Sequence, residues 1–296
     1  MTPSRALPSM PSAVSRRRAG QGQTLLWQAA VLVRLAVLIT SLWGAAALTG
    51  CAGGPAGAGE HGAEPLTESD EPEGRKRARI RIELASGYFE QGQTTVALDQ
   101  IKQALLADPS FGPAYSLRGL VYMRLNDNAL AEESFRKALQ IHPRDADALH
   151  NYGWFACQQG RHAEAVQLFG RALAVPLYGG QAKTLMMQGT CQLRMGQRNE
   201  AEGSFSRAYE LDPSNAYVGY NLANLEFQRG EFTKSQFIIR RINNSEQANA
   251  ETLWLGVKIE RALGNGSVVE QLGQQLQRRF SRSKEWASYQ RSAFND

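Results

Sequence analysis

Hydrophobic and small residues recur along residues 78–283 with a period of 34, and the spacing inside each period is that of two helices. Counted from Ala78, the periods are 78–111, 112–145, 146–181, 182–215, 216–249 and 250–283, the third carrying two extra residues. Position 8 holds Ala85, Gly119, Gly153, Gly189, Ala223 and Val257. Position 20 holds Ala97, Ala131, Ala165, Ala201, Ser235 and Val269. Position 24 holds Ile101, Phe135, Phe169, Phe205, Ile239 and Gly273, and position 27 holds Ala104, Ala138, Ala172, Ala208, Ile242 and Leu276. Small residues at 8 and 20 let two antiparallel helices approach closely. The large residue at 24 fills the gap to the next unit. Pro109, Pro143 and Pro213 at position 32 stop the second helix. Turns inside the units carry Gly92, Asn126-Asp127-Asn128, Gly160, Gly196 and Gly230. The fifth unit fits less well, with Ser235, and the sixth departs most, as end units of a stack do.

This pattern resembles the tetratricopeptide (TPR) repeat over residues 78–283. The expected fold is all-α: a right-handed superhelical solenoid of about six TPR helix pairs. Beyond it, Trp286, Tyr289 and Ala293 recur at helical spacing, which predicts a capping helix in 284–296.

The N-terminal fifty residues have a different pattern. Residues 1–24 are rich in Ser, Pro, Gly and Arg, and an apolar run, Leu35–Leu48, follows Arg34. The run has 14 residues, short of the roughly 20 that span a bilayer. It ends in Leu48-Thr49-Gly50-Cys51, which looks like a bacterial lipobox. Residues 1–50 are therefore expected to be a lipoprotein signal peptide, with Cys51 as the lipidated residue. A thiolate is nucleophilic enough to take a diacylglyceryl group, and Thr49 and Gly50 leave room for a peptidase. The competing reading is a signal-anchor helix over Leu25–Leu48. The stretch before the apolar run is long, and Met10 is an alternative start. Residues 51–77 are rich in Gly, Pro, Ala and Glu, with little apolar bulk, and read as a flexible tether. Gly53, Gly54, Gly57 and Gly59 have no strand before them and no helix after them, so they do not form a phosphate loop.

Charge follows the same division. Formal net charge is +5, and residues 1–50 hold five Arg with no Lys, Asp or Glu, which leaves residues 51–296 balanced. The basic character of the whole chain thus gives no reason to expect a nucleic-acid partner. Three Cys and four scattered His argue against a disulfide-rich scaffold and a structural zinc site. There is no GxSxG, HExxH or Walker loop. Glu132-Glu133 and Asp145/Asp147 read as solvated carboxylates on helix and turn positions. No catalytic residue, metal, cofactor or small-molecule substrate is expected. A non-catalytic repeat array acts by binding.

Solenoids of this type bind along the inner face, lined by positions 2, 5, 9, 12 and 13 of each first helix. Unit two supplies Ser116, Leu120 and Arg124, and unit three Asp147, His150, Trp154, Cys157 and Gln158. Unit four supplies Lys183, Met186, Thr190 and Arg194, and unit five Tyr217, Tyr220, Asn224 and Gln228. Trp254, Lys258 and Arg261 continue into unit six. Aromatic and polar side chains in one groove suit a peptide partner. Packing of Trp154 and Tyr220 against neighbouring helices is the alternative. Cys157 and Cys191 fall at positions 12 and 10 of consecutive first helices. Those helices pack side by side, at a separation that a disulfide can span with modest adjustment; two free buried thiols are the other possibility.

Unit three reads His150-Asn151-Tyr152-Gly153-Trp154-Phe155-Ala156-Cys157-Gln158-Gln159-Gly160-Arg161, followed by Pro176-Leu177-Tyr178, Thr184-Leu185 and Gly189-Thr190-Cys191. With the tail from Arg279-Phe280 through Trp286 to Phe294, this resembles the type IV pilus biogenesis/stability lipoprotein family called PilW or PilF. The long segment before the lipobox departs from that family. The resemblance implies a pilotin: a lipid-anchored protein that brings subunits of the pilus secretin to the outer membrane and helps them multimerise there. It also implies an address on the periplasmic face of the outer membrane, which Ala52 after the Cys favours. A generic periplasmic TPR adaptor, recruiting cell-wall or outer-membrane assembly factors, is the alternative.

Overall fold

The computed structural model describes residues 70–294. The signal segment, Cys51 and the tether as far as residue 69 lie outside the described residues. Thirteen helices follow one another there with no strand among the described residues. Six antiparallel pairs come first: α1 (Glu73–Glu90) with α2 (Thr94–Ala107), α3 (Gly112–Arg124) with α4 (Asn128–Ile141), and α5 (Ala146–Gln158) with α6 (His162–Leu173). They continue as α7 (Gln181–Arg194) with α8 (Arg198–Leu211), α9 (Ala216–Gln228) with α10 (Phe232–Asn243), and α11 (Ala250–Ala262) with α12 (Gly266–Phe280). A short α13 (Lys284–Gln290) closes the far end. Each pair packs on the next, and neighbouring first helices touch, so the stack is a solenoid of helix pairs.

The pairs owe their close approach to a size match between positions 8 and 24. A Cβ on Gly119 would lie 2.6 Å from the Phe135 ring, and one on Gly153 would lie 2.8 Å from the Phe169 ring. Gly189 stands in the same relation to Phe205, at 3.0 Å. Where position 24 is the smaller Ile101 or Ile239, position 8 is Ala. The large residue at 24 therefore lies over its own unit's first helix as well as reaching the next unit. Phe135, for example, also meets Tyr152 and Phe155, with ring centroids 5.7 and 5.6 Å away.

The sixth unit obeys the same rule in reverse. Val257 stands at position 8 and Gly273 at position 24, and a Cβ on Gly273 would lie 2.2 Å from Tyr289. Gly273 is not a decayed repeat position: the capping helix lays its own Tyr289 where the other units place Phe or Ile. Trp286 stacks on Tyr289, centroids 5.6 Å apart, and Phe294 then stacks on Trp254 at 5.5 Å.

Turns follow local chemistry. Position 15 of every unit has a positive φ, from +60° at Asn126 to +83° at Gly230. Gly occupies that position in the other five units because a Cβ is disfavoured there, and Asn is the side chain that best tolerates it. Asp145 and Asn215 cap their helices by accepting from the Ala148 and Val218 amides. Two connections between units are longer than the rest, 174–180 and 244–249.

The solenoid begins earlier than the repeat pattern implies. Helix α1 starts at Glu73, inside the stretch 51–77 read as tether. Arg75 accounts for this: its Nε donates to Asp108 Oδ2 at 2.8 Å, tying the start of α1 to the end of α2. Gly74 lies close against Ala107, with room for no Cβ.

Candidate functional site

The first helices α3, α5, α7, α9 and α11 present positions 2, 5, 9, 12 and 13 along one face, and most of the residues expected in the groove lie there. Leu120 and Met186 are half-buried supports packed on the cores of neighbouring units. Met186 Sδ accepts from Asn215 Nδ2 at 3.7 Å. Gln158 is exposed and Asn224 half-buried. Thr190 Oγ1 donates to the Met186 carbonyl at 2.8 Å and lies 3.1 Å from the Tyr217 hydroxyl.

His150 does not line the groove. It is 4 % exposed, and its Nδ1 lies 2.9 Å from Thr184 Oγ1, across the junction of units three and four. The Tyr178 hydroxyl meets the same Thr184 oxygen at 2.9 Å. Burial, and then the charge of Lys183, lower the His150 pKa to about 4, so the imidazole is neutral at physiological pH. Position 5 faces inward here because an apolar helix surface surrounds it, including Phe169 at 5.8 Å between ring centroids. Trp254 is also covered, by Phe294, rather than open to the groove.

Cys157 and Cys191 are joined in a disulfide, Cα atoms 6.0 Å apart, which links α5 to α7 beneath the groove. Arg194 lies beside it, its Nη1 3.5 Å from the Cys157 carbonyl oxygen and its guanidinium 5.9 Å from the Trp154 ring centroid. Trp154 is half-buried and keeps a face toward the groove. Arg124 lies over the Phe89 ring at 3.6 Å and also donates to the Phe89 carbonyl. Lys258 lies 5.9 Å from both the Phe227 and Trp254 rings, and Arg261 lies 3.9 Å over Phe294. Phe89 and Phe227 stand at position 12, so the repeat register contains the signal that marks them. Phe294 sits beyond the repeats, and no periodicity points to it.

Tyr220, Trp254, Lys258, Lys284, Glu285 and Ser288 line a pocket of about 280 Å³ where the capping helix meets the groove. Burial raises the Tyr220 pKa, and Glu251 and Glu285 raise it further, so the phenol stays protonated and available as a donor.

Two carboxylates expected to be solvated have structural work instead. Glu132 Oε1 accepts from Arg136 at 2.6 Å, Arg161 at 3.0 Å and the Tyr152 hydroxyl at 3.2 Å. Asp145 is a helix cap. Among the described residues, no three side chains of His, Cys, Asp or Glu are grouped to hold a metal. The groove offers ring faces, guanidiniums and amide or hydroxyl groups, which suit a bound polypeptide segment.

Such a groove on stacked helix pairs defines the class of tetratricopeptide-repeat scaffolds, and the tetratricopeptide-repeat family profiles match residues 111–177 and 186–235. The type IV pilus assembly protein PilF of Pseudomonas aeruginosa is 28% identical over 218 residues, covering 73% of this chain and 86% of PilF. Its solved structure matches with a TM-score of 0.68, over 74% of this chain and all of that one. PilW, a widely conserved type IV pilus biogenesis factor of known crystal structure, is 32% identical, with a TM-score of 0.61, over 71% of this chain and 97% of PilW. The chain belongs to the family of TPR type IV pilus biogenesis proteins that includes PilF and PilW.

Proposed function

We propose that the chain is a lipid-anchored TPR scaffold that acts as pilotin for the pilus secretin, holding its subunits at the periplasmic face of the outer membrane while they multimerise. The observation that carries the reading is family membership over the whole solenoid, joined to a groove whose ring faces and guanidiniums are suited to a protein segment. Leu48-Thr49-Gly50-Cys51 supports lipid attachment at Cys51, and two or more acyl chains suffice for stable anchoring. The secretin subunit supplies the segment held in the groove.

Deleting the gene is expected to leave secretin subunits present but short of detergent-resistant multimers, with pili lost. A chain truncated after Lys76, which keeps the anchor and removes nearly all of the solenoid, is expected not to rescue. Normal multimers in the deletion strain would overturn the pilotin reading in favour of a generic periplasmic adaptor. Labelling with a palmitate analogue is expected for the intact chain and absent in Cys51→Ala; undiminished labelling in that variant would remove the anchor from the account.

A further inference from the structure

Three arginines of the groove are held against aromatic rings and face no carboxylate among the described residues. Arg118, Arg136, Arg161, Arg229 and Arg240 each lie within 3.0 Å of a carboxylate oxygen. Arg124, Arg194 and Arg261 are exposed and form no ion pair among the described residues; each lies on an aromatic ring instead. Each therefore keeps hydrogen-bonding edges directed away from the ring, since a guanidinium has five donors in its plane. They stand one each in units two, four and six, along the groove. In units two to six, the groove positions also carry Lys183 and Lys258, against only two carboxylates, Asp147 and Glu251. Glu251 has a lysine neighbour of its own, Lys284 at 3.8 Å. The groove thus presents a positive inner face.

The molecule also shows what such a seat accepts. Phe294, from the non-helical end of the chain, is stacked on Trp254 and covered by Arg261 at 3.9 Å. Trp154 and Arg194 offer the same two components, ring and guanidinium, at the middle of the groove.

We infer that the groove takes an extended acidic segment of the partner, with an aromatic residue seated against Trp154 and Arg194 and neighbouring carboxylates paired with Arg194 and Arg124. This rests on the groove being the binding face, and it specifies the chemistry of what is bound. A carboxylate would give these guanidiniums the charged partner they lack among the described residues, and the ring beneath holds the charge in place.

The test uses the full chain in detergent and two fluorescein-labelled synthetic peptides, read by anisotropy. One has Asp and Glu on both sides of a central Phe; its twin has Asn and Gln at those positions. The acidic peptide is expected to bind about tenfold or more tighter than its twin, with affinity falling as salt rises. Arg194→Gln and Arg124→Gln are expected to remove most of that preference, with the fold of each variant checked by circular dichroism. Equal binding of both peptides, weakened by Trp154→Ala, would overturn the acidic preference and leave the groove standing as the binding face. A preference for acid that survives both arginine substitutions would overturn the assignment of the carboxylate contacts. Failure of the acidic peptide to bind would overturn the proposal, and capture of secretin subunits by the wild-type chain and by Trp154→Glu would then judge the groove separately.

Discussion

Of the three places in the groove where a guanidinium lies over an aromatic ring, the middle one and the far one are supported in opposite ways. At the middle, Trp154 and Arg194 are open to solvent, and the helices beneath are joined by the Cys157–Cys191 disulfide and the buried His150–Thr184–Tyr178 chain. At the far end, Phe294 fills the seat between Trp254 and Arg261, and the support is noncovalent. There Glu260, 1 % exposed, accepts from Arg240 at 2.7 Å, Asn265 at 2.7 Å and Gln236 at 2.8 Å. These two junctions are the ones entered through the long connections, 174–180 and 244–249. A stack is only as stiff as its weakest nearest-neighbour interface. The seat left open is the one held covalently, and the seat already filled needs only packing and hydrogen bonds.

The largest effect is expected at the open seat. Replacing Cys157 and Cys191 with Ser should cost about 3–4 kcal/mol by the loop-closure argument, measured by denaturant unfolding against the oxidised chain. A much smaller loss would mean that the junction is stiff without its bridge.

Acid should weaken the same junction. The folded pKa of His150 lies near 4, below the ordinary 6.5, so the unfolded chain takes up the proton first as pH falls. Stability is expected to be full above pH 6.5 and to fall progressively toward pH 4, on the order of 3 kcal/mol in all. His150→Gln should remove that slope; an unchanged slope would place the titrating group elsewhere.

The far seat should respond less. Glu260→Ala is expected to cost about 2 kcal/mol, from three lost hydrogen bonds to a carboxylate. Burial opposes the Glu260 charge, but the bonds from Arg240, Asn265 and Gln236 hold its pKa below the ordinary value. Its stabilisation is therefore present above the usual carboxylate range and lost as pH falls through it. Phe294→Ala should cost least, about 1 kcal/mol, from lost stacking on Trp254 and the lost cation contact. Urea midpoints for the two variants, ranked in the other order, would show that the cap rather than Glu260 holds this end.

These contrasts also separate what the sequence discloses from what it hides. The register of the stack is legible because positions 8, 20, 24 and 27 are set by packing between neighbours in the same or adjacent units, which repeat. The match of Gly119 to Phe135 and Ala85 to Ile101 is visible in the same columns. Contacts made once leave no periodic trace. Tyr289 over Gly273 and Phe294 over Trp254 join the tail to the last repeat, so position 24 of unit six looks eroded when it is filled from outside. His150 stands in a groove column, yet it is buried at the interface against its Thr184 partner. The start of α1 depends on the single pair Arg75–Asp108, within a stretch whose composition reads as tether.

The central claim is that the open seat holds the secretin segment during assembly. The direct measurement is the amount of detergent-resistant secretin multimer in a deletion strain complemented with the full chain carrying Trp154→Glu, alongside the wild-type chain. The variant's level and circular dichroism spectrum are checked in parallel. A folded Trp154→Glu chain at wild-type level is expected to leave subunits present and multimers lost. Multimers at the wild-type amount, with the variant folded and present, would contradict the account.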